Sequence, residues 1–368
     1  AYAEVLSMPT LALVMIVKNE EKSLARCLKQ AAGLADKIFI TDTGSSDRTR
    51  EIAASFGAVV AEYTWDQDFA AARNFSLSQS DCDWNLVLDA DEFLIRGTRK
   101  DLETFMKKPG RIGAIEPKDY YVEEVPGGGQ ETAYANSYTS RLLPRGVGYT
   151  GRIHEQVDSK LPVYPLPLLF DHEGYLRPGK AQRNLEILLE EVKDSPTDAY
   201  FLYQTGETLR GLKRYGEACA YYARFYEHVP ERGAGYRAVG IINYLYALIE
   251  EQGWDTALEL VQKEAEHLNA YADFHFACGI LFMRAILADT AKYVSYLPRI
   301  EQSYQRCLEI GEVPEHQGVG GTGSFRAVYN LGTWYEAIGD TARAKACYQS
   351  AAMEAYPPAV KRLQVLGK

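Results

Sequence analysis

The sequence predicts a parallel α/β domain over residues 1–180, followed by an all-α domain of helical repeats over residues 181–368. Three observations predict it. Short apolar runs alternate with helical patterns in the first half. An Asp-x-Asp triplet closes one of those runs. From about Ala181, segments rich in Leu, Ala and Tyr are separated only by short turns.

Leu11–Val17 is a continuous apolar run, as expected of a strand buried on both faces. Glu21 to Ala32 reads as a helix and Lys37–Thr41 as a second strand. Ser46 or Asp47 can cap a helix from Arg48 to Phe56, and Gly57–Ala61 is a third strand. In parallel sheets ligands bind beyond the carboxyl ends of the strands. The polar clusters Lys18-Asn19-Glu20, Asp42-Thr43-Gly44-Ser45 and Asp89-Ala90-Asp91 should therefore meet on one rim.

Asp89-Ala90-Asp91 follows the apolar run Trp84–Leu88. Residues i and i+2 of a strand share a side, so both carboxylates are expected to face one place. Hard cations such as Mg²⁺ or Mn²⁺ take carboxylate and phosphate oxygens there, which implies a nucleotide diphosphate as substrate. Taken alone, such a triplet is more commonly a solvated surface pair. Pro162 to Pro178 holds four prolines and is expected to bridge the two halves, although Pro165–Phe170 could still be an edge strand.

In the second half, Gly206, Ala218 and Tyr222 recur at the same spacing as Gly332, Ala344 and Tyr348, and a weaker copy surrounds Gly253-Trp254 and Ala257. Small and aromatic residues in this order fit the tetratricopeptide pattern of roughly 34 residues, with irregular insertions between copies. Such units bury their apolar sides only against each other and stack into a concave surface. The tyrosines are expected to pack between repeats, and any left on the concave face could hold a peptide or glycan.

A 46% hydrophobic content supports ordinary cores, and a net charge of −10 argues against a nucleic-acid partner, which would need a basic face. No apolar run approaches the about 18 residues of a membrane span, and Ala1 to Met8 does not read as a signal peptide, so a cytoplasmic location is expected. The six cysteines lack any Cys-x-x-Cys and read as buried thiols.

Four motifs in order, Val17-Lys18-Asn19-Glu20, Asp42 to Thr49, Trp65-Asp66-Gln67-Asp68-Phe69 with Arg73-Asn74, and Asp89-Ala90-Asp91-Glu92, resemble family 2 glycosyltransferases of the GT-A fold (nucleotide-diphospho-sugar transferases, Rossmann-like) over roughly residues 10–180. Gly151 to Glu155 and Asp171 to Tyr175 look like the segments that precede tetratricopeptide-like repeats in glycocin S-glycosyltransferases of the sublancin type. The resemblance implies an inverting, metal-dependent hexosyltransferase that uses a UDP-sugar. It implies that Asp42 contacts uracil or ribose, that Arg73 lies near the sugar or diphosphate, that Asp89 lies near ribose or sugar, and that Asp91 holds Mg²⁺ or Mn²⁺. It also puts Val17, Asn19, Glu20, Ser45 and Ala90 around the nucleotide.

Each placement has a plainer alternative. Asp42 could serve only its own turn, Arg73 a surface ion pair, and Trp65, Asp68 and Phe69 the anchoring of the Arg73 loop. Glu155 is the first candidate for the base that removes the acceptor proton, with Glu92 and Glu173 in reserve. His154 or His172 could complete the metal shell, contact the diphosphate or be structural. The acceptor implied is a peptide or protein held partly by the repeats, with homo-oligomerisation through them a further option, and acceptor choice falls to loops such as Gly127 to Glu131. Two other functions fit the same sequence: an envelope or polysaccharide glycosyltransferase whose repeats dock partners, and a binding scaffold that has lost catalysis. The presence of Asp42, Arg73, Asp89 and Asp91 together speaks against the scaffold.

Overall fold

The computed structural model describes residues 8–124, 130–136, 138–172, 180–313, 316 and 318–366. Chain compactness divides it into two units, one comprising residues up to Val122 with Thr132–Lys180, the other Glu123–Glu131 with Ala181–Lys368.

The first unit opens with β1 (Leu11–Val17), α1 (Leu24–Ala31), β2 (Lys37–Asp42), α2 (Thr49–Ser55), β3 (Val59–Glu62), α3 (Phe69–Ser78) and β4 (Trp84–Val87). Strands β3, β2, β1 and β4 are neighbours in that order and all parallel. The apolar run of β1 is explained by burial on both faces: Leu11, Leu13 and Met15 join one core cluster, Ala12 and Val14 the other. Helix α1 buries Leu24, Cys27, Leu28 and Ala31, the stripe expected of its period. Fully burying each large aliphatic side chain contributes about 1.5–3 kcal/mol.

The remainder of the sheet departs from the parallel expectation. After β5 (Glu92–Arg96) and α4 (Arg99–Met106) come β6 (Ile112–Glu124), β7 (Gln130–Asn136), β8 (Thr139–Pro144), a small β9 (Gly148–Thr150) and β10 (Gln156–Asp158) hairpin, and β11 (Val163–His172). The sheet runs β3-β2-β1-β4-β8-β6-β11-β5, with β8 antiparallel to both β4 and β6. It is a mixed sheet. The proline-rich stretch expected to bridge the domains is in large part β11, which pairs with β6 on one side and β5 on the other, so it is neither a linker nor an edge. Its prolines are accommodated because the β11–β6 register breaks between Pro165 and Leu169, where ladder donors are dispensable.

Lys180, the last residue of the first unit, begins α5 (Lys180–Asp194), and from Ala181 the second unit is helical: α6 (Ala199–Gly211), α7 (Tyr215–His228), α8 (Arg237–Glu250), α9 (Trp254–Glu264), α10 (Ala272–Ala288), a four-residue α11 (Thr290–Tyr293), α12 (Leu297–Ile310), α13 (Phe325–Ala337), α14 (Thr341–Met353) and α15 (Pro357–Leu366) follow. No helix among the described residues is long and apolar enough to cross a membrane. The recurring glycines are explained by the recurring tyrosines. A Cβ on Gly206 would lie 2.8 Å from the ring of Tyr222, and one on Gly332 2.9 Å from that of Tyr348. A third pair, Gly279 and Tyr304, packs the same way at 2.6 Å. Several tyrosines also place their hydroxyl on a carboxylate, as Tyr348 does on Glu336 (2.7 Å) and Tyr246 on Asp273 (2.6 Å). Gly206→Ala should therefore lower stability by about 1–3 kcal/mol through overpacking. Gly211→Ala in the same helix, with nothing within 4 Å of the added carbon, should raise it by up to about 1 kcal/mol. Denaturant unfolding of the two variants tests the contrast.

Candidate active site

The carboxyl ends of β1, β2 and β4 lie side by side, since Val17 pairs with Asp42 and Val14 with Val87. The loops after β1 and β2 are locked together. Asn19, at φ 55°, donates its backbone N–H to Ser45 Oγ (2.9 Å) and accepts from Ser46 N–H on Oδ1 (2.8 Å), while Glu20 N–H reaches Thr49 Oγ1 (2.7 Å). The Val17 carbonyl accepts from Thr43 N–H (2.9 Å). Val17, Asn19, Glu20 and Ser45 thus shape the rim through contacts with one another.

Asp42 closes β2. Its Oδ1 accepts from Gly44 and Ser45 N–H at 3.0 and 2.9 Å, whereas Oδ2 is buried with no hydrogen-bond partner among the described residues. The residue lines an open pocket of about 470 Å³ with Ser45, Arg50, Glu62, Tyr63 and Trp65. Trp65 also meets Phe69 edge-on at 4.7 Å, and Asp68 caps α3 by accepting from Ala71 N–H (2.8 Å), so this motif anchors the helix that carries Arg73.

Arg73 lies in a partly buried chain of alternating charge that runs Glu92, Arg141, Asp89, Arg73, Glu155. Nη2 of Arg141 donates to Glu92 Oε1 (2.6 Å) and Asp89 Oδ2 (2.9 Å). Nη2 of Arg73 donates to Asp89 Oδ1 (2.9 Å), and its Nε donates to Glu155 Oε1. Arg73 Nη1 is buried without a hydrogen-bond partner among the described residues. Burial pulls the Asp89 carboxyl upward, but the two guanidiniums outweigh it and hold it far below the ordinary range. For Glu92 burial wins over Arg141, and its carboxyl is raised.

The triplet does not act as a pair of strand residues. Asp89 and Asp91 stand in the turn between β4 and β5, and Ala90 between them packs into the core. Asp91 faces a different set: His172 Nε2 is 3.6 Å from its Oδ1 and Lys180 Nζ 3.5 Å from its Oδ2. Burial raises the Asp91 carboxyl, yet His172 and Lys180 together bring it below the usual value. His154, at φ 50°, sits in the turn between β9 and β10 beside Glu155. Glu173 and residues 127–129 of the expected acceptor loop lie outside the described residues.

Residues 12–150 match the family model Glycosyl transferase family 2, and residues 326–352 match a tetratricopeptide repeat. Residues 12–150 are a family 2 glycosyl transferase domain. The chain is 27% identical over 325 residues to the SPbeta prophage-derived glycosyltransferase SunS of Bacillus subtilis, covering 82% of this chain and 65% of that protein. It is 32% identical over 222 residues to a TPR repeat-containing protein of Synechococcus elongatus, covering 55% of this chain and 53% of that one. The chain thus spans between half and two thirds of the length of these relatives.

The donor set at Asp91 fits a hard divalent cation only in part. One carboxylate and one imidazole converge, and no group of three or more His, Cys, Asp or Glu side chains forms a metal cage among the described residues. That is the donor set of a cation completed by substrate phosphates and water. Two residues at the site escaped the sequence reading, Arg141 and Lys180. The one signal for Arg141 is an arginine set against Leu142-Leu143 in a strand. Lys180 carries none, being far along the chain from Asp91.

Proposed function

We propose that the chain is an inverting, metal-dependent glycosyltransferase that moves a hexose from a UDP-sugar to a peptide or protein acceptor held partly by the helical repeats. The observation that carries the reading is the Asp42 carboxylate: one oxygen is committed to its own turn, and the other is a buried acceptor without a partner beside an open pocket. A uracil N3–H or a ribose hydroxyl satisfies such an acceptor. Arg73 Nη1 supplies a matching donor for phosphate oxygens. Asp91 and His172 would hold the Mg²⁺ or Mn²⁺, whose chemistry is to neutralise charge on the departing diphosphate. Glu155, oriented by Arg73 through Oε1, would take the acceptor proton on Oε2. A thiol acceptor, more acidic than a sugar hydroxyl, would ease that demand. The relationship to SunS supports glycosyl transfer, and the repeat unit supports a macromolecular acceptor.

Calorimetric titration of UDP, GDP and their sugars, in Mn²⁺ and then in EDTA, tests the donor class. UDP should bind in a metal-dependent manner. Asp42→Asn keeps an oxygen for Gly44 and Ser45 while turning the unpartnered acceptor into a donor, so it should weaken UDP binding by about 10- to 100-fold. Equal affinity in that variant would take the nucleotide away from Asp42.

A further inference from the structure

We propose that Lys180 is a ligand for the terminal phosphate of the donor diphosphate, held on Asp91 until a divalent cation takes that carboxylate. The inference rests on the metal reading above. In the structure the other acidic groups of the cluster are already matched: Asp89 by Arg73 and Arg141, Glu92 by Arg141, Glu155 by Arg73. Lys180 instead pairs with Asp91, at 3.5 Å, across the carboxylate from His172. It is also the most exposed of the three cations, with 39% of its side chain accessible against 6% for Arg73 and 9% for Arg141. An ammonium on a flexible four-carbon stem can turn from one anion to another, which the two clamped guanidiniums cannot do.

Charge dictates the sequence of partners. Asp91, if it held a divalent cation with His172, would lose the negative charge that attracts Lys180, and the ammonium would be released to another anion. A diphosphate bound beside Asp91 would give the released Lys180 ammonium that other anion. Lys180 therefore acts in opposite senses in two states. Without nucleotide it competes with the metal for Asp91; with nucleotide it adds a charge-assisted bond to the terminal phosphate.

The two senses make the test specific. Full-length wild type, Lys180→Met and Lys180→Arg are titrated by calorimetry with MnCl₂ alone, then with UDP and with UMP at saturating Mn²⁺. Lys180→Met is expected to bind Mn²⁺ alone about two- to fivefold more tightly and UDP about 10- to 100-fold more weakly. Its affinity for UMP, which lacks the terminal phosphate, should stay at the wild-type value, and Lys180→Arg should retain UDP binding to within a few-fold. Wild-type UDP affinity in Lys180→Met, or an equal loss for UDP and UMP, overturns the assignment; so does weaker binding of Mn²⁺ alone. Failure of the wild type to bind UDP in Mn²⁺ removes the donor reading itself, an outcome separate from all of these.

Discussion

Asp91→Asn is expected to reduce UDP binding in Mn²⁺ to the level seen in EDTA and to lower donor turnover by on the order of 10³-fold, the several kcal/mol that a metal contributes to charge neutralisation. The amide keeps the shape of the side chain but removes the anionic oxygen that a hard cation requires. Among the described residues no neighbour replaces it. Both oxygens of Asp89 are held by arginines, and His172 alone is a single ligand. The fold should tolerate the change, because the amide fills the same space and Lys180 is exposed enough to turn to water. A near-normal unfolding curve with no effect of Mn²⁺ on UDP binding is the expected pair of results. Metal dependence that survives in Asp91→Asn would move the cation to other residues.

What the sequence made legible follows from where physics leaves a periodic mark. Strand β1 is buried on both faces, so its apolar run is unbroken and its bounds are readable to the residue. The Gly206–Tyr222 and Gly332–Tyr348 pairs are readable because ring and glycine keep a constant interval. Gly279–Tyr304 makes the same contact but escapes the pattern, since α11 and the turn after it lengthen the interval. The antiparallel half of the sheet was hidden for another reason. Prolines in β11 read as a linker, and only the register break shows how a sheet accommodates them. In the site, the rim was legible because parallel strands align their carboxyl ends, so that Asp42 and the triplet follow strands on either side of β1. The division of labour within the triplet was not. It depends on the turn that sends Ala90 into the core, and on Arg141, His172 and Lys180 arriving from distant parts of the chain.

Arg141→Met should be the most destabilising single change at the site, by about 3–5 kcal/mol, because it strands a buried carboxylate. Arg141 is 8% exposed and serves two anions through one nitrogen, Nη2. Asp89 would keep Arg73 after the substitution. Glu92, only 1% exposed, would keep a hydrogen bond from the Asp89 backbone N–H (2.9 Å) but lose the guanidinium that offsets its burial. For a domain of this size the loss corresponds to a fall in Tm on the order of 10 °C. Loss of aliphatic packing would not explain it, since methionine fills a similar volume. The decisive comparison is the double variant: Glu92→Gln removes the stranded charge, so Arg141→Met combined with it should regain much of the stability lost in Arg141→Met alone. Additive losses would mean that Arg141 acts mainly through Asp89. In that case donor turnover would fall in the double variant as far as in Arg141→Met, which places the arginine's role in holding Asp89 against Arg73 rather than in neutralising Glu92.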